Sequence, residues 1–340
     1  MKLATFQSKG RTPRVGAVVE DATRIVDLQT AHQARYDCES PGLRSMQDLI
    51  EGGDAALDMA MSLERNPGSG LGAVQPAQDV RLLAPVPVPI QIRDCLCFEQ
   101  HLVQAYMKAR EIRAAQSPDP AAAMREMQEK KILDVPAVFY HRPLYYKANR
   151  FSVVGPDADV VWPDYSDMRD FELEFGFFVK GRAADIPKND AAKHIFGYTI
   201  FNDFSARDEQ VLEMSGQLGP AKGKDFDTGN AMGPWIVTAD ELRDPYNLTM
   251  VARVNGEEWG RGCSSTMYWK FEDLLSFVSR SETLYPGEFF GSGTVGNGCG
   301  LEMMRFLQPG DVVELEVEQI GILRNRIFGR PRSADKPANS

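Results

Sequence analysis

The sequence is poor in histidine, with four in 340 residues, and its five cysteines are an odd number. Cys95 and Cys97 form a C-x-C rather than a zinc-type C-x-x-C, while Cys38, Cys263 and Cys299 stand apart. Neither a disulfide framework nor a thiolate zinc site is expected from that spacing, and reduced, packed thiols in a cytoplasmic protein are. No apolar run, Phe175–Val179 among them, approaches the ~20 residues of a membrane span. The start, Met1 to Gln7, carries no apolar signal core, so no secretory signal is expected. Basic residues are outnumbered, 38 against 48, for a net charge of −10. Nucleic acid and anionic membrane surfaces are therefore not expected partners. Internal repeats are absent. Gly291–Gly298 is glycine-rich but lacks the lysine of a P-loop and does not fit G-x-G-x-x-G before a helix, which argues against a nucleotide.

What is present is an ordinary globular composition, 43% hydrophobic and 25% charged, in a chain long enough for a large core. Residues 1–80 read as a small separate α/β module. Short β signals at Lys2–Phe6, Arg14–Glu20 and Arg24–Leu28 precede helical spacing at Met46–Glu51 and Ala55–Leu63. Gly68–Gly72 reads as a flexible link, and the proline run Ala84–Ile90 as an extended connector. Residues 81–330 then read as a second, mainly β domain. A helix up to about Arg113 is followed by an apparent loop at Ala114–Ala123 and a charged helix near Met124–Lys131. Strand signals follow at Val138–Tyr140, Phe151–Val154, Asp159–Trp162 and Trp235–Thr238. Asn255-Gly256 is a two-residue hairpin cue within Met250–Trp259. Trp269–Arg280 reads as an amphipathic helix, and Pro309–Glu318 as a strand. Residues 331–340 read as a disordered tail.

The chemistry gathers between Asp170 and Asp208. Phe171–Val179 alternates, placing Phe171, Leu173, Phe175 and Phe177 on one face and Glu172 and Glu174 on the other. Two carboxylates at i and i+2 in an apolar strand repel and lose water. They persist if solvated, if partly protonated, or if a cation lies between them. A third carboxylate, Asp203, ends the apolar strand Ile195–Phe201. These are oxygen donors only, which suits Mg²⁺ first and Mn²⁺ or Ca²⁺ as alternatives. On the residues alone a solvated face and a cation site stand about even. His101, Arg207, Gln210 and Lys224 likewise read as either site or surface groups. In Gly291–Gly298 the backbone can approach a small ligand, with Thr294 as a donor.

Taken together, these segments resemble the fumarylacetoacetate hydrolase family. Phe171–Gly181 is similar to its E-x-E strand, Ile200–Asp208 to its N-D-[WF]-S-A-R-D segment, and Gly219–Thr228 to its lysine turn. Pro309–Val313 and Gly321–Asn325 match its closing strands. The resemblance implies an α+β fold, mainly β, with a mixed-sheet catalytic domain of β-roll type, and a homodimer. It implies that Asp94, Glu172, Glu174 and Asp203 bind the metal. His101 would be the general base, Glu302 the carboxylate that orients it, and Lys224 a catalytic cation. Arg207, Gln210, Tyr146 and Thr294 would contact substrate. Smaller relatives carry a glutamate three residues after the histidine; here that position is Gln104, so the partner of His101 stays open in the sequence. The implied reaction is hydrolysis of a C–C bond in a β-diketo acid, such as an acylpyruvate or a fumarylacetoacetate-like compound. The alternative is a decarboxylase, tautomerase or hydratase acting on 2-oxo or hydroxydienoic acids.

Overall fold

Short β-branched strands and aromatic strands meet in one large sheet, seen in a computed structural model that describes residues 1–68 and 72–329. The expected tail at 331–340 and part of the expected link Gly68–Gly72 lie outside the described residues. The first segment comprises β1 (Lys2–Ser8), β2 (Arg14–Val19), β3 (Arg24–Asp27), α1 (Leu28–Tyr36), α2 (Met46–Glu51), α3 (Gly53–Arg65), β4 (Val74–Pro76) and β5 (Val80–Leu82). Next come β6 (Ile92–Cys95), α4 (Glu99–Ala115), α5 (Pro120–Glu129), β7 (Tyr145–Ala148), β8 (Val153–Val154), β9 (Asp159–Val161), β10 (Arg169–Asp170) and β11 (Leu173–Val179). The chain continues through β12 (Ile195–Asp203), β13 (Ser205–Ala206), α6 (Arg207–Ser215), β14 (Asn230–Thr238), β15 (Thr249–Val254) and β16 (Glu257–Cys263). It closes with α7 (Phe271–Val278), β17 (Phe289–Gly291), α8 (Gly300–Met303), β18 (Val312–Val317) and β19 (Gly321–Phe328).

The main sheet has twelve strands, along the path β4-β3-β2-β1-β14-β12-β11-β17-β6-β7, with β5 on β1 and β8 on β14. A second sheet runs β16-β15-β18-β19-β9. This is an α+β architecture of large mixed sheets. The module expected over residues 1–80 is not set apart at the level of the sheet. β1 pairs antiparallel with β14, Lys2 opposite Val237, and the buried Met1 amino group donates to Thr238 Oγ1 at 2.7 Å.

Alternation along β11 places side chains on two cores. Phe175 and Phe177 pack into one with Phe271 and Phe290, the Phe177 and Phe290 rings stacked at 5.1 Å. Phe178 joins Phe201, Phe289 and the apolar faces of α1–α3 in the other. Each fully buried aromatic ring contributes about 1.5–3 kcal/mol of transfer energy. Both faces are therefore covered, and the solvated reading of the Glu172/Glu174 face is lost: Glu174 is fully buried and Glu172 nearly so.

Several local expectations are corrected. Ala114–Ala123 is not a loop: α4 runs to Ala115, and α5 starts at Pro120 because Asp119 caps it by accepting from Ala122 N at 3.0 Å. Proline at the first helical position supplies the right φ. Val138–Tyr140 lies in a 3₁₀ turn, Ala137–Tyr140, whose Phe139 is buried, so its aromatic and β-branched residues pack without pairing. Phe151–Val154 contributes only the two residues of β8. The Asn255-Gly256 hairpin is present, with positive φ of 53° and 81° at the two turn residues.

Candidate metal centre and acid–base pair

Register across neighbouring strands assembles the carboxylates. Glu174 on β11 lies opposite Phe201 on β12, two residues before Asp203; Asp94 on β6 lies beside Gly291 on β17 and opposite Tyr146 on β7. One ligand oxygen each from Asp94, Glu172, Glu174 and Asp203 lies within 4.8 Å of the others, and all four residues are buried. The strand between them is glycine for a steric reason. A Cβ at Gly291 would come 2.4 Å from Asp94 Oδ1 and 3.2 Å from Glu174 Oε2.

Cations answer only part of this charge. Lys224 Nζ donates to Glu172 Oε2 at 2.8 Å and to Asp203 Oδ2 at 2.6 Å. Arg207 pairs with Glu172 at 2.8 Å and donates from Nε to Asp170 Oδ2 at 2.7 Å. Burial and the mutual repulsion of the cluster push the carboxyls of Asp94 and Glu174 well above the usual range. Asp203 rises to about 6, burial outweighing Lys224. At Glu172 burial also acts upward, but Lys224, Arg207 and His101 together hold it well below the ordinary value. Lys224, though buried, is kept charged by Asp203 and Glu172.

The cluster fits a hard divalent cation. Asp94 Oδ1 and Asp203 Oδ1 are buried acceptors without a hydrogen-bond partner, a state rarely tolerated unless something positive is bound there. The donors are all oxygen, the space between them is held open by a glycine, and three carboxyls resist ionisation in its absence.

A second constellation lies alongside. His101, buried in the first turn of α4, places Nδ1 3.0 Å from Glu302 Oε1 on α8. Gln104, the competing position, instead donates to Asn297 Oδ1 at 2.7 Å and accepts from Asn297 N at 3.1 Å. The loop preceding α8 is threaded along the E-x-E strand: Leu173 N donates to Gly298 O at 2.9 Å, and Glu172 bridges Cys299. This is how residues 201 positions apart come together.

Of the remaining residues singled out in the sequence, Tyr146 and Thr294 lie against the cluster, and Gln210 reaches it through Arg207. Tyr146 donates to Asp203 Oδ2 at 2.5 Å. Gln210 accepts from Arg207 NH1 at 2.9 Å. Thr294 Oγ1 is 3.5 Å from Glu174 Oε1, and Gly293 N donates to Glu174 Oε2 at 3.0 Å. The glycine-rich loop thus brings its backbone close to a carboxylate of the cluster.

Asp170, named in the sequence only as the start of the stretch that holds the carboxylates, is fully buried. Its carboxylate accepts from Gly300 N at 2.7 Å and Leu301 N at 3.0 Å as well as from Arg207, coupling α8 to the cluster's arginine. Glu213 holds the lysine turn by accepting from Ala221 N and Gly223 N, both at 2.9 Å. Neither is marked by any local pattern; both contacts arise from tertiary packing.

Comparison with known proteins gives the family. Residues 96–328 match the family model described as fumarylacetoacetate (FAA) hydrolase C-terminal. A mitochondrial oxaloacetate tautomerase of Homo sapiens is 31% identical over 329 residues, covering 96% of this chain and 91% of that protein. The solved fumarylacetoacetate hydrolase of Exiguobacterium antarcticum is 26% identical with a TM-score of 0.69, covering 97% of this chain and 100% of that one. A maleylpyruvate hydrolase of Sphingobium sp., solved with manganese(II) and pyruvate, shares the fold at a TM-score of 0.68 and 20% identity, over 97% of this chain and 99% of that one. The chain belongs to the fumarylacetoacetate hydrolase family. Among the described residues, no helix is long and apolar enough to cross a membrane.

Proposed function

We propose that this member of the family is a divalent-cation-dependent tautomerase of a 2-oxo dicarboxylic acid, oxaloacetate foremost. The observation that carries the proposal is the buried His101–Glu302 contact of 3.0 Å, set directly against a carboxylate cluster suited to a cation. The likeness to an oxaloacetate tautomerase along 96% of the chain supports the choice of substrate. Asp94, Glu172, Glu174 and Asp203 would hold the cation, Mg²⁺ first, with Mn²⁺ or Ca²⁺ as alternatives. When bound, it supplies polarisation of the 2-oxo group.

The chain's own groups then divide the proton work. His101 takes the proton from C3 of the keto acid and passes it to the C2 oxygen, and in the reverse direction carries it from that oxygen back to C3. Glu302, at Nδ1, fixes the ring and strengthens the other nitrogen as acceptor. Lys224 and Arg207 supply positive charge as the oxygen at C2 gains electron density. Arg207, Gln210, Tyr146 and Thr294 are the proposed substrate contacts. A homodimer and a cytoplasmic location, as expected from the sequence, belong to the same proposal.

A second reading is hydrolysis of a C–C bond in a β-diketo acid. It is favoured by the same His101–Glu302 pair, which is equally suited to taking a proton from water. Product analysis separates the two. The purified protein with Mg²⁺ should speed the decay of enol absorbance in freshly dissolved oxaloacetate above the Mg²⁺ background, and leave acylpyruvates and fumarylacetoacetate uncleaved. Cleavage of those diketo acids without any effect on the enol decay would replace the first reading with the second.

A further inference from the structure

One ligand-bearing side chain beside the acid–base pair has no part in the proposed reaction. Cys299 is fully buried at the N-cap of α8. One ligand atom each of His101, Cys299 and Glu302 lies within 4.8 Å of the others. That set is nitrogen, sulfur and oxygen, whereas Asp94, Glu172, Glu174 and Asp203 offer oxygen alone. Mg²⁺ and Ca²⁺ gain little from sulfur, but zinc-type ions prefer imidazole and thiolate. Zinc bond lengths place tetrahedral ligand atoms roughly 3.4–3.7 Å apart, so the 3.0 Å spacing of His101 Nδ1 and Glu302 Oε1 needs only a small opening.

We propose that His101, Cys299 and Glu302 form a second cation site, selective for zinc-type divalent ions, with a fourth position left for water. The ion takes the place of the hydrogen between Nδ1 and Oε1, that proton passing to Nε2, and the thiol proton leaves to solvent. If the pair performs the proton transfer proposed above, occupancy stops it; this consequence rests on that reading, but the binding does not.

The probe is Co²⁺, added to the full-length protein in saturating Mg²⁺ so that the carboxylate cluster is already filled. A thiolate-to-cobalt charge-transfer band in the near ultraviolet should grow to one equivalent and be displaced by Zn²⁺. It should persist in a Cys38→Ser/Cys263→Ser control and vanish in Cys299→Ser or Cys299→Ala, whichever retains the wild-type circular dichroism. No band in the wild-type protein, or a band that survives loss of the Cys299 thiol, would overturn the site. Zn²⁺ should also slow turnover at least tenfold more in wild type than in Cys299→Ser, each measured against its own rate without Zn²⁺. A Cys299-dependent band without that inhibition supports the site and counts against the acid–base role of His101.

Discussion

The carboxylate cluster and the His101–Glu302 pair are neighbours held by different means. The cluster is carried mainly by strands, its positions set by hydrogen-bonded register through β12, β11, β17 and β6. A shift of one residue in β12, β11 or β6 would carry a ligand to the opposite face. The pair instead joins the first turn of a helix to a four-residue helix at the end of a loop. The sheet suits holding an ion in a fixed cage. The helix and loop hold the pair by one side-chain contact of 3.0 Å rather than by strand register. Asp170 is the link, because its one carboxylate contacts both regions.

The largest way to break the comparison is therefore Asp170→Asn. Losing a charged hydrogen bond at a buried arginine costs about 1.5–3 kcal/mol, read as a lower unfolding midpoint in denaturant. Because α8 and Arg207 lose their common anchor, kcat should also fall, roughly tenfold, with Mn²⁺ affinity changed less. A variant that loses Mn²⁺ binding but keeps its turnover at saturating metal would put Asp170 with the cluster alone.

Gly291→Ala probes the other side. The added methyl meets Asp94 Oδ1 at 2.4 Å, and overpacking of this kind costs about 1–3 kcal/mol. Mn²⁺ affinity, measured by titration, should weaken about tenfold or more, while the His101–Glu302 pair stays intact. Unchanged affinity would mean that Gly291 does not shape the cage.

A smaller effect is set by pH. Asp203 rises from 3.8 to about 6, and Asp94 and Glu174 are also raised, so the folded metal-free chain favours their protonated forms. That contribution is complete below the unfolded carboxylate values and is lost as pH rises through the folded ones. Glu172 acts in the opposite sense, but it titrates below its unfolded value and contributes no change in this window. Metal-free protein should thus lose stability as pH climbs through about 6 and beyond, while Mg²⁺ or Mn²⁺ affinity climbs as protons leave its ligands. The melting-temperature gain on adding Mn²⁺ should widen across that range. A gain that narrows would contradict the protonated cluster.

The least costly change is Gln104→Ala. It removes the two amide contacts to Asn297 at an exposed position, worth about 0.5–1.5 kcal/mol each at most. Activity should fall by no more than a few-fold. A loss as large as that of a base would return Gln104 to the acid–base machinery.

The two regions also differ in how far the sequence discloses them. Glu172, Glu174 and Asp203 are visible because strand alternation makes a charged pair in an apolar run conspicuous, and a strand end makes Asp203 so. Their burial was not visible, since the groups that cover them, Lys224, Arg207, Tyr146 and the loop at Gly293 and Thr294, come from distant parts of the chain. His101 stands out by rarity, but its partner depends on the loop 292–299, which comes after β17 and lies along β11, a contact that no local spacing encodes. Asp170, Glu213 and Cys299 are silent for the same reason. The helices over 99–129 were underestimated because Pro120, which reads as a breaker, here occupies the first helical position behind the Asp119 cap.

The central claim is that one constellation holds the cation and the other moves the proton. It is tested most directly by titrating Mn²⁺ into His101→Ala while measuring oxaloacetate tautomerisation in the same samples. The expected result is one Mn²⁺ per chain with an affinity within a few-fold of wild type, and a rate lowered about 10²–10⁴-fold. Retained tautomerisation, or loss of Mn²⁺ together with the rate, would contradict the division.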